Sequence, residues 1–171
     1  MNELLIPISN DEFKNKVSIR FNNILQGFDL FKSFTIKSKH IENGEIKIIK
    51  FIESIFDENN CEAYVDFYIN KLSAKDKERL IALVPEEDKN ILKLHLNAEP
   101  HDGVFYKLSN KNLIPFLVRL NTREIFFVTF YFTNKPITIW GNYDLKFPCF
   151  FNTEEDLEFY YKLSKSPGFF D

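Results

Sequence analysis

The chain has 171 residues, of which 44% are hydrophobic and 27% are charged, proportions that fit a folded globule and exclude an intrinsically disordered chain. A net charge of −3 and a pI near 5.7 exclude the broad basic surface that non-specific nucleic-acid binding requires. The first residues lack a signal-peptide pattern, and no apolar run approaches the about 20 residues of a membrane helix. We therefore expect a single domain over residues 1–171, located in the cytoplasm, with no membrane partner and no direct nucleic-acid partner.

The first predicted helix begins after Ser9. Ser9 and Glu12 have the spacing of a capping box, and the apolar positions that follow, from Phe13 onward, recur at helical spacing. Gly27 predicts the end of this helix.

Residues 33–56 allow two interpretations. The Asn43–Gly44 pair favours a two-residue hairpin turn, but a hairpin there would set two glutamates opposite each other, which is unfavourable. The apolar residues after the pair form a helical stripe. We therefore prefer a short extended segment over residues 33–41, followed by a helix over about residues 45–56.

Three more helices are predicted before residue 97. Each begins at a residue that is favoured at a helix N-terminus. The predicted helices run from Asn59 to Leu72, from Ser73 to about Leu83, and from Pro85 to near Asn97.

Beyond residue 100 the apolar period changes to two, which predicts β-strands separated by turns. Pro115 and Pro148 lie inside two of these runs and predict edge strands or bulges, because proline lacks the amide that a sheet ladder uses. Thr153 caps a last helix. The predicted strands are Val104–Leu108, Leu113–Leu120, Glu124–Thr133, Ile137–Trp140 and Leu145–Phe151.

These elements predict an α+β fold. A helical N-terminal half, about residues 1–97, packs on a C-terminal antiparallel sheet with a terminal helix, about residues 103–171. Cys61 and Cys149 lie among apolar and aromatic neighbours and form neither a C-x-x-C motif nor a zinc-binding spacing. We expect two buried free thiols in a reducing compartment.

The residues with most potential for catalysis are His95, His101 and Asp102, because His101 is predicted in a loop that His95 on the preceding helix could approach. A hydrolase also needs a nucleophile or metal ligands, and no motif supplies either. We therefore expect no catalysis, no cofactor and no metal site; a small hydrolase or nuclease built on these three residues is the alternative. Arg119 and Arg123 flank a predicted turn, where they could bind a phosphate.

Two acidic clusters and two aromatic residues are the candidate partner-binding residues. Each cluster follows a predicted helix start, where the helix dipole stabilises carboxylates, so the clusters also have a structural explanation. The two aromatic residues follow the run Phe126–Phe132, which is apolar on both faces; such a strand is central and covered on both sides, or one face is an interface. The candidates are Glu86, Glu87, Asp88, Trp140, Tyr143, Glu154, Glu155 and Asp156.

In composition and predicted architecture, this slightly acidic, aromatic-rich chain resembles the immunity proteins of bacterial contact-dependent growth inhibition and polymorphic toxin systems. Those are small, acidic, cytosolic proteins, often α+β, that bind a nuclease toxin at its active site or at a neighbouring surface. The resemblance implies a non-catalytic protein-binding module that neutralises a cognate toxin domain, with acidic side chains steering the association. A phage or mobile-element protein that binds a host factor is a further alternative.

Overall fold

The computed structural model describes residues 3–170. Its helices are α1 (Asn10–Lys16), α2 (Ile24–Leu30), α3 (Ile41–Glu58), α4 (Ala74–Leu83), α5 (Glu86–Leu96), α6 (Ile114–Thr122) and α7 (Glu154–Ser164), with short 3-10 turns at Tyr68–Lys71 and Lys111–Leu113. Its strands are β1 (Ile6–Pro7), β2 (Lys32–Lys37), β3 (Ala63–Asp66), β4 (Phe105–Leu108), β5 (Phe130–Phe132), β6 (Ile137–Ile139) and β7 (Lys146–Phe151). The strands pair antiparallel in the order β1–β4–β3–β5–β6–β7–β2.

This architecture confirms the predicted α+β fold. The sheet nevertheless draws on both halves of the chain, because β1, β2 and β3 all precede residue 97. Strand β5 lies at the centre of the sheet and is covered on both faces, with Phe130 in one apolar layer and Tyr131 in the other. The last three residues of the aromatic run Phe126–Phe132 therefore form a central strand.

One face of the sheet carries the main hydrophobic core. Helices α3 and α6 pack together there, and α7 contacts β2 and β7. Phe51 of α3, Phe116 of α6 and Phe147 of β7 are each fully buried in this layer. Burying a phenylalanine side chain contributes about 1.5–3 kcal/mol. We call this side of the sheet the core face, and because most of the buried apolar residues lie in it, it holds most of the stabilising apolar contacts.

A shorter layer, built from the N-terminal segment, covers the opposite face. Phe13 of α1 stacks on Phe105 with ring centroids 3.6 Å apart and meets Tyr131 edge-on. Further along the sheet, Phe21 packs edge-on against Phe150 of β7. Helices α1 and α2 have only 7 residues each, and a groove remains beside them. We call this side the groove face.

Several helix starts lie where the sequence predicts them. The hydroxyl groups of Ser9, Ser73 and Thr153 each accept a hydrogen bond from the backbone amide three residues ahead, at 3.1 Å, as N-caps do. Pro85 directly precedes α5. Residues 33–56 contribute to β2 and then to α3, which confirms the extended segment followed by a helix and rules out the hairpin.

The first predicted helix is interrupted. The chain leaves the helical path between α1 and α2, so the prediction of one helix that ends at Gly27 is wrong. In the break, Ile19 is buried and its carbonyl oxygen accepts a hydrogen bond from the Thr138 hydroxyl at 2.7 Å. This contact with β6 outweighs the helical pattern. Gly27 instead lies inside α2, where a Cβ atom would come within 2.9 Å of the Phe21 ring.

Residues 59–72 do not form the predicted helix. Asn59 lies at the C-terminal end of α3, and Asn60 and Cys61 have left-handed φ angles of 58°, a conformation that ends helices. The β-forming residues that follow pair as β3, between β4 and β5. Cys61 is exposed, so the prediction of a buried thiol is confirmed for Cys149 and wrong for Cys61.

The predicted strand Leu113–Leu120 is wrong, because this segment forms the end of a 3-10 turn and helix α6. Helix α6 is buried on nearly every side, so its apolar residues are not confined to one face. Pro115 lies in its first turn, where a missing amide is tolerated. Pro148 is also neither at an edge nor in a bulge, since β7 pairs with both β6 and β2, the latter in continuous register. Only Phe130–Phe132 of the predicted strand Glu124–Thr133 is a strand.

Candidate functional site

A half-buried carboxylate lies on the groove face at the end of β3. Successive side chains of a strand point to opposite faces, so Val65 enters the core face while Tyr64 and Asp66 lie on the groove face. The backbone amide of Thr129 donates a hydrogen bond to Asp66 Oδ1 at 2.6 Å, and the Tyr131 hydroxyl lies 3.4 Å from Oδ2. The neighbouring strand β5 and the residue that precedes it thus hold the carboxylate in place.

The surroundings of Asp66 disfavour its charge. Burial raises the pKa of the Asp66 carboxyl to about 6, and the hydrogen bonds from Thr129 and Tyr131 only partly offset that effect. Among residues 3–170, no lysine, arginine or histidine lies within 4.0 Å of this carboxylate. Asp66 is therefore a desolvated acid with hydrogen-bond donors but without a cationic partner.

Two grooves meet at Asp66. The first, which we call the Phe21 groove, has a volume of about 410 Å³, and the second, the Tyr143 groove, about 340 Å³; both lie in the range of small ligand sites. The Phe21 groove is lined by Phe13, Lys14, Arg20, Phe21, Asn22, Gln26, Asp66, Tyr68, Phe105, Tyr131 and Trp140. The Tyr143 groove is lined by Asp66, Tyr68, Phe127, Thr129, Trp140, Gly141, Asn142 and Tyr143.

The walls of the two grooves are held by aromatic contacts. Trp140 stacks on Phe21 with ring centroids 5.3 Å apart, and Tyr143 meets Phe127 edge-on at 4.8 Å. Tyr68 and Tyr143 remain largely exposed, at 48% and 58% of their surface. Rings that are fixed by their neighbours and still reach solvent are typical of binding surfaces.

The two grooves differ in charge. Lys14 and Arg20 are exposed residues that line the Phe21 groove, and the Arg20 guanidinium also donates to the Val17 carbonyl oxygen at 2.7 Å. In the Tyr143 groove, Asp66 is the charged lining residue. The Tyr143 groove is therefore acidic, while the Phe21 groove combines an acid with two bases.

Trp140 and Tyr143 are the predicted partner-binding residues that the structure brings together, since both line the Tyr143 groove. The sequence does not identify Asp66 as a site residue. Residues 59–72 are predicted to form a helix, and a single polar residue on a helix does not indicate a binding site. As part of a strand, Asp66 is the acidic residue within the otherwise apolar run Ala63–Phe67. A carboxylate in such a run is the signal that could have identified this site.

The six predicted acidic residues lie outside both grooves. Glu86 is exposed and pairs with Lys89, while Asp88 is fully buried. Two nitrogens of Arg119 hold the Asp88 carboxylate at 2.7 and 2.5 Å. Asp88 is therefore a structural residue of α5 and does not belong to an exposed acidic surface.

The second acidic cluster, at the start of α7, is exposed in part. Glu154 forms a salt bridge with Lys32 at 2.9 Å. The carboxylate of Asp156 accepts a hydrogen bond from the Thr153 hydroxyl at 2.9 Å, so it belongs to the helix cap. Glu155 is exposed. These residues stabilise the helix terminus, as the structural explanation predicts.

The histidines do not form a catalytic group with Asp102. His95 is buried; its Nε2 accepts a hydrogen bond from the Leu5 amide at 3.1 Å, and its Nδ1 donates to the Ile91 carbonyl oxygen at 2.8 Å. Burial lowers the pKa of His95, so the ring stays neutral. His101 Nε2 is buried without a hydrogen-bond partner among the described residues. Neither nitrogen of His95 contacts His101 or Asp102.

The two arginines of α6 and its C-cap are engaged as well. Arg123 pairs with Glu45 at 2.9 Å, and Arg119 pairs with Asp88. These hydrogen-bonded carboxylates raise the pKa of both guanidinium groups. Because the charge of each arginine is compensated within the fold, the predicted phosphate site at this turn is not formed.

The chain is thus an α+β protein whose open face carries an acid between aromatic rings. No protein-family model matches it, and the comparisons with curated proteins and with solved structures also returned no match. Over the described part of the chain, no cluster of three or more His, Cys, Asp and Glu side chains could hold a metal ion. None of the helices within residues 3–170 has the length and apolarity needed to cross a membrane.

Proposed function

We propose that this chain is a non-catalytic protein-binding module and that the groove face is its contact surface. The observation that carries the proposal is Asp66, a desolvated carboxylate without a cation, set between exposed and half-buried aromatic rings. Such a group lowers the stability of the free protein, and a partner that contacts it would recover that energy. Groups that reduce the stability of the free protein in this way are typical of functional sites.

The surface around the grooves supports a protein partner. In α2, next to the Phe21 groove, Leu25 and Phe28 are 71% and 45% exposed. Tyr68 and Tyr143 line the Tyr143 groove and add exposed aromatic surface around its polar centre. Leu25 and Phe28 add apolar surface on α2, the helix whose Gln26 lines the Phe21 groove. Protein interfaces are enriched in aromatic side chains and often place a few polar groups among them.

For the partner we propose a cognate bacterial toxin domain, such as a nuclease. The support is the resemblance in composition and α+β architecture to immunity proteins, together with a contact surface that contains an acidic centre. A nuclease carries basic residues that bind phosphate groups, and an acidic, aromatic surface is complementary to such a site. The chain would then act in the cytoplasm, where the toxin arrives.

The test is a capture experiment combined with a growth assay. The tagged full chain is used to capture proteins from its native host, and the product of the adjacent gene is expressed with and without the chain. We expect the adjacent gene product to be captured, to arrest growth when expressed alone, and to be neutralised when the chain is coexpressed.

Two pairs of substitutions make this test specific for the groove face. The double variant Tyr68→Ser/Tyr143→Ser removes two exposed rings from the rim of the grooves, and the matched double variant Leu83→Ser/Leu94→Ser removes two exposed apolar side chains of α4 and α5. We expect the first to lose capture and protection and the second to keep both. Equal capture by both variants would contradict the proposed contact surface, and a harmless gene product would contradict the proposed partner.

A further inference from the structure

We propose that the Tyr143 groove binds one arginine or lysine side chain of the partner, held between the Asp66 carboxylate and the rings of Trp140 and Tyr143. This inference rests on the protein-binding function proposed above and specifies the chemistry of its central contact. The observations are the unpaired carboxylate, the aromatic walls and the difference in charge between the two grooves.

The Asp66 carboxylate is surrounded by neutral hydrogen-bond donors. They are the backbone and side chain of Thr129, the Tyr131 hydroxyl and the backbone amide of Asp66 itself. Because no cation lies within ion-pair distance, a guanidinium or ammonium group would supply the charge that these donors do not provide.

The walls of the Tyr143 groove suit a cation. Trp140, Tyr143 and Tyr68 line the space next to Asp66, and the faces of such rings attract cationic groups within about 6 Å of the ring centroid. Phe127 packs against Tyr143 and fixes its orientation. A volume of about 340 Å³ has room for one long side chain.

The distribution of charge indicates the direction of approach. A cation that entered through the Phe21 groove would pass Lys14 and Arg20 and be repelled. The Tyr143 groove has no basic lining residue, and Asp66 is its charged group. The cationic side chain therefore enters from the Tyr143 side, and Lys14 and Arg20 are left to face acidic or polar groups of the same partner.

A direct test uses Trp140, because the chain contains 1 tryptophan and its indole N–H gives a single signal in a ¹H–¹⁵N NMR spectrum. The full chain is titrated at pH 7.5 with N-acetyl-arginine methylamide and, separately, with N-acetyl-citrulline methylamide, its neutral analogue. We expect a saturable shift of the Trp140 signal with the arginine probe and an affinity at least about tenfold lower for the citrulline probe.

Three variants assign the effect to the site. Asp66→Asn should weaken the arginine probe by about tenfold or more, and Tyr143→Ala should weaken it by a few fold. The control Asp102→Asn changes an exposed aspartate that lines neither groove and should leave the affinity unchanged. Tyr143 is largely exposed, so its replacement tests the site even if Asp66→Asn alters the fold.

Binding should also depend on pH. Asp66 is ionised above about pH 6 and protonated below it, so affinity for the arginine probe should fall between pH 7.5 and 5. The other titratable or charged groups that line the two grooves are Tyr68 and Tyr131, whose pKa values are raised, and the cationic Lys14 and Arg20. Because the pKa values of both tyrosines are raised, neither tyrosine loses its proton in that interval.

The outcomes separate this inference from the proposed function. Equal shifts with both probes, an unchanged affinity of Asp66→Asn, or a stronger saturable shift with adenosine monophosphate that requires Lys14 and Arg20 would each overturn the cation site. If the Asp66→Asn variant captures the partner as well as the unmodified chain does, the cation site is likewise overturned. The proposed protein-binding function then remains in place.

Discussion

The two faces of the sheet are built in opposite ways. On the core face, rings such as Phe147 are fully buried beneath long helices and make apolar contacts alone. On the groove face, short helices leave two grooves open, and Asp66 is desolvated without a cation. Under the proposed function, the core face supplies stability, and the groove face gives up part of it to a charged group that a partner would contact.

The largest difference between the faces should appear when one phenylalanine is truncated on each. Phe147→Ala removes a fully buried ring from β7 and should lower the free energy of unfolding by about 3–5 kcal/mol. Phe28→Ala removes a ring that is 45% exposed and should cost about 1 kcal/mol. Urea unfolding measures both values. Equal losses would mean that the faces do not differ in the way described.

A buried ion pair gives the next largest effect, and it lies away from the grooves. Asp88→Ala leaves Arg119 without its bidentate partner and should destabilise the chain by about 2–3 kcal/mol. Glu87→Ala, the matched control, removes an exposed carboxylate 3.5 Å from the same arginine and should cost less than about 1 kcal/mol. The folded Asp88→Ala variant should still capture the partner. Loss of capture by the folded variant would show that Asp88 contributes to partner binding.

Gly141 connects the two faces at the edge of the Tyr143 groove. A Cβ atom there would lie 2.1 Å from Asn121 Oδ1, and Asn121 cannot move freely because it hydrogen-bonds both the amide and the carbonyl of Val128. We expect Gly141→Ala to cost about 1–3 kcal/mol. Gly103→Ala meets only the end of the His101 ring and should cost about 0.5 kcal/mol. Thermal unfolding of the two variants tests this order.

The sequence predicts elements with local signals and fails where distant contacts decide. The N-caps at Ser9, Ser73 and Thr153 were predictable because each cap is a bond between residues three apart. The break between α1 and α2 depends on a hydrogen bond from Thr138 to Ile19, more than 100 residues apart in the chain. No sequence window contains both residues.

Buried helices are a second source of error. Because α6 is apolar on most sides, its pattern cannot be distinguished from that of a buried strand. The prediction of a helix over residues 59–72 is wrong for a different reason. Asn59 is of a residue type favoured at a helix start, but in this fold it ends α3.

The candidate site was predictable only in part. Trp140 and Tyr143 were identified because large rings beside a turn favour binding surfaces. Asp66 and Tyr68 belong to a segment that was assigned to the wrong element, and Phe21 and Arg20 reach the groove only through the break in the first helix. The site is assembled by the sheet from segments far apart in the chain, so its composition requires the tertiary structure.

Asp66 provides a small expected change in stability and the most direct test of the account. The ionised carboxylate destabilises the folded chain above pH 6, and this penalty fades as the pH falls from about 6 toward 3.8, the ordinary value, because the folded protein binds the proton more tightly than the unfolded chain. With solvent screening allowed for, Asp66→Asn should raise the free energy of unfolding at pH 7.5 by about 1 kcal/mol.

The decisive measurement is therefore urea unfolding of the unmodified chain and Asp66→Asn at pH 7.5 and pH 4. If the groove face holds an acid that the fold itself does not need, the variant will be the more stable protein at pH 7.5, and the difference will shrink at pH 4. A variant that is less stable at pH 7.5 would show that the Asp66 carboxylate stabilises the fold, and would contradict the assignment of this residue to partner recognition.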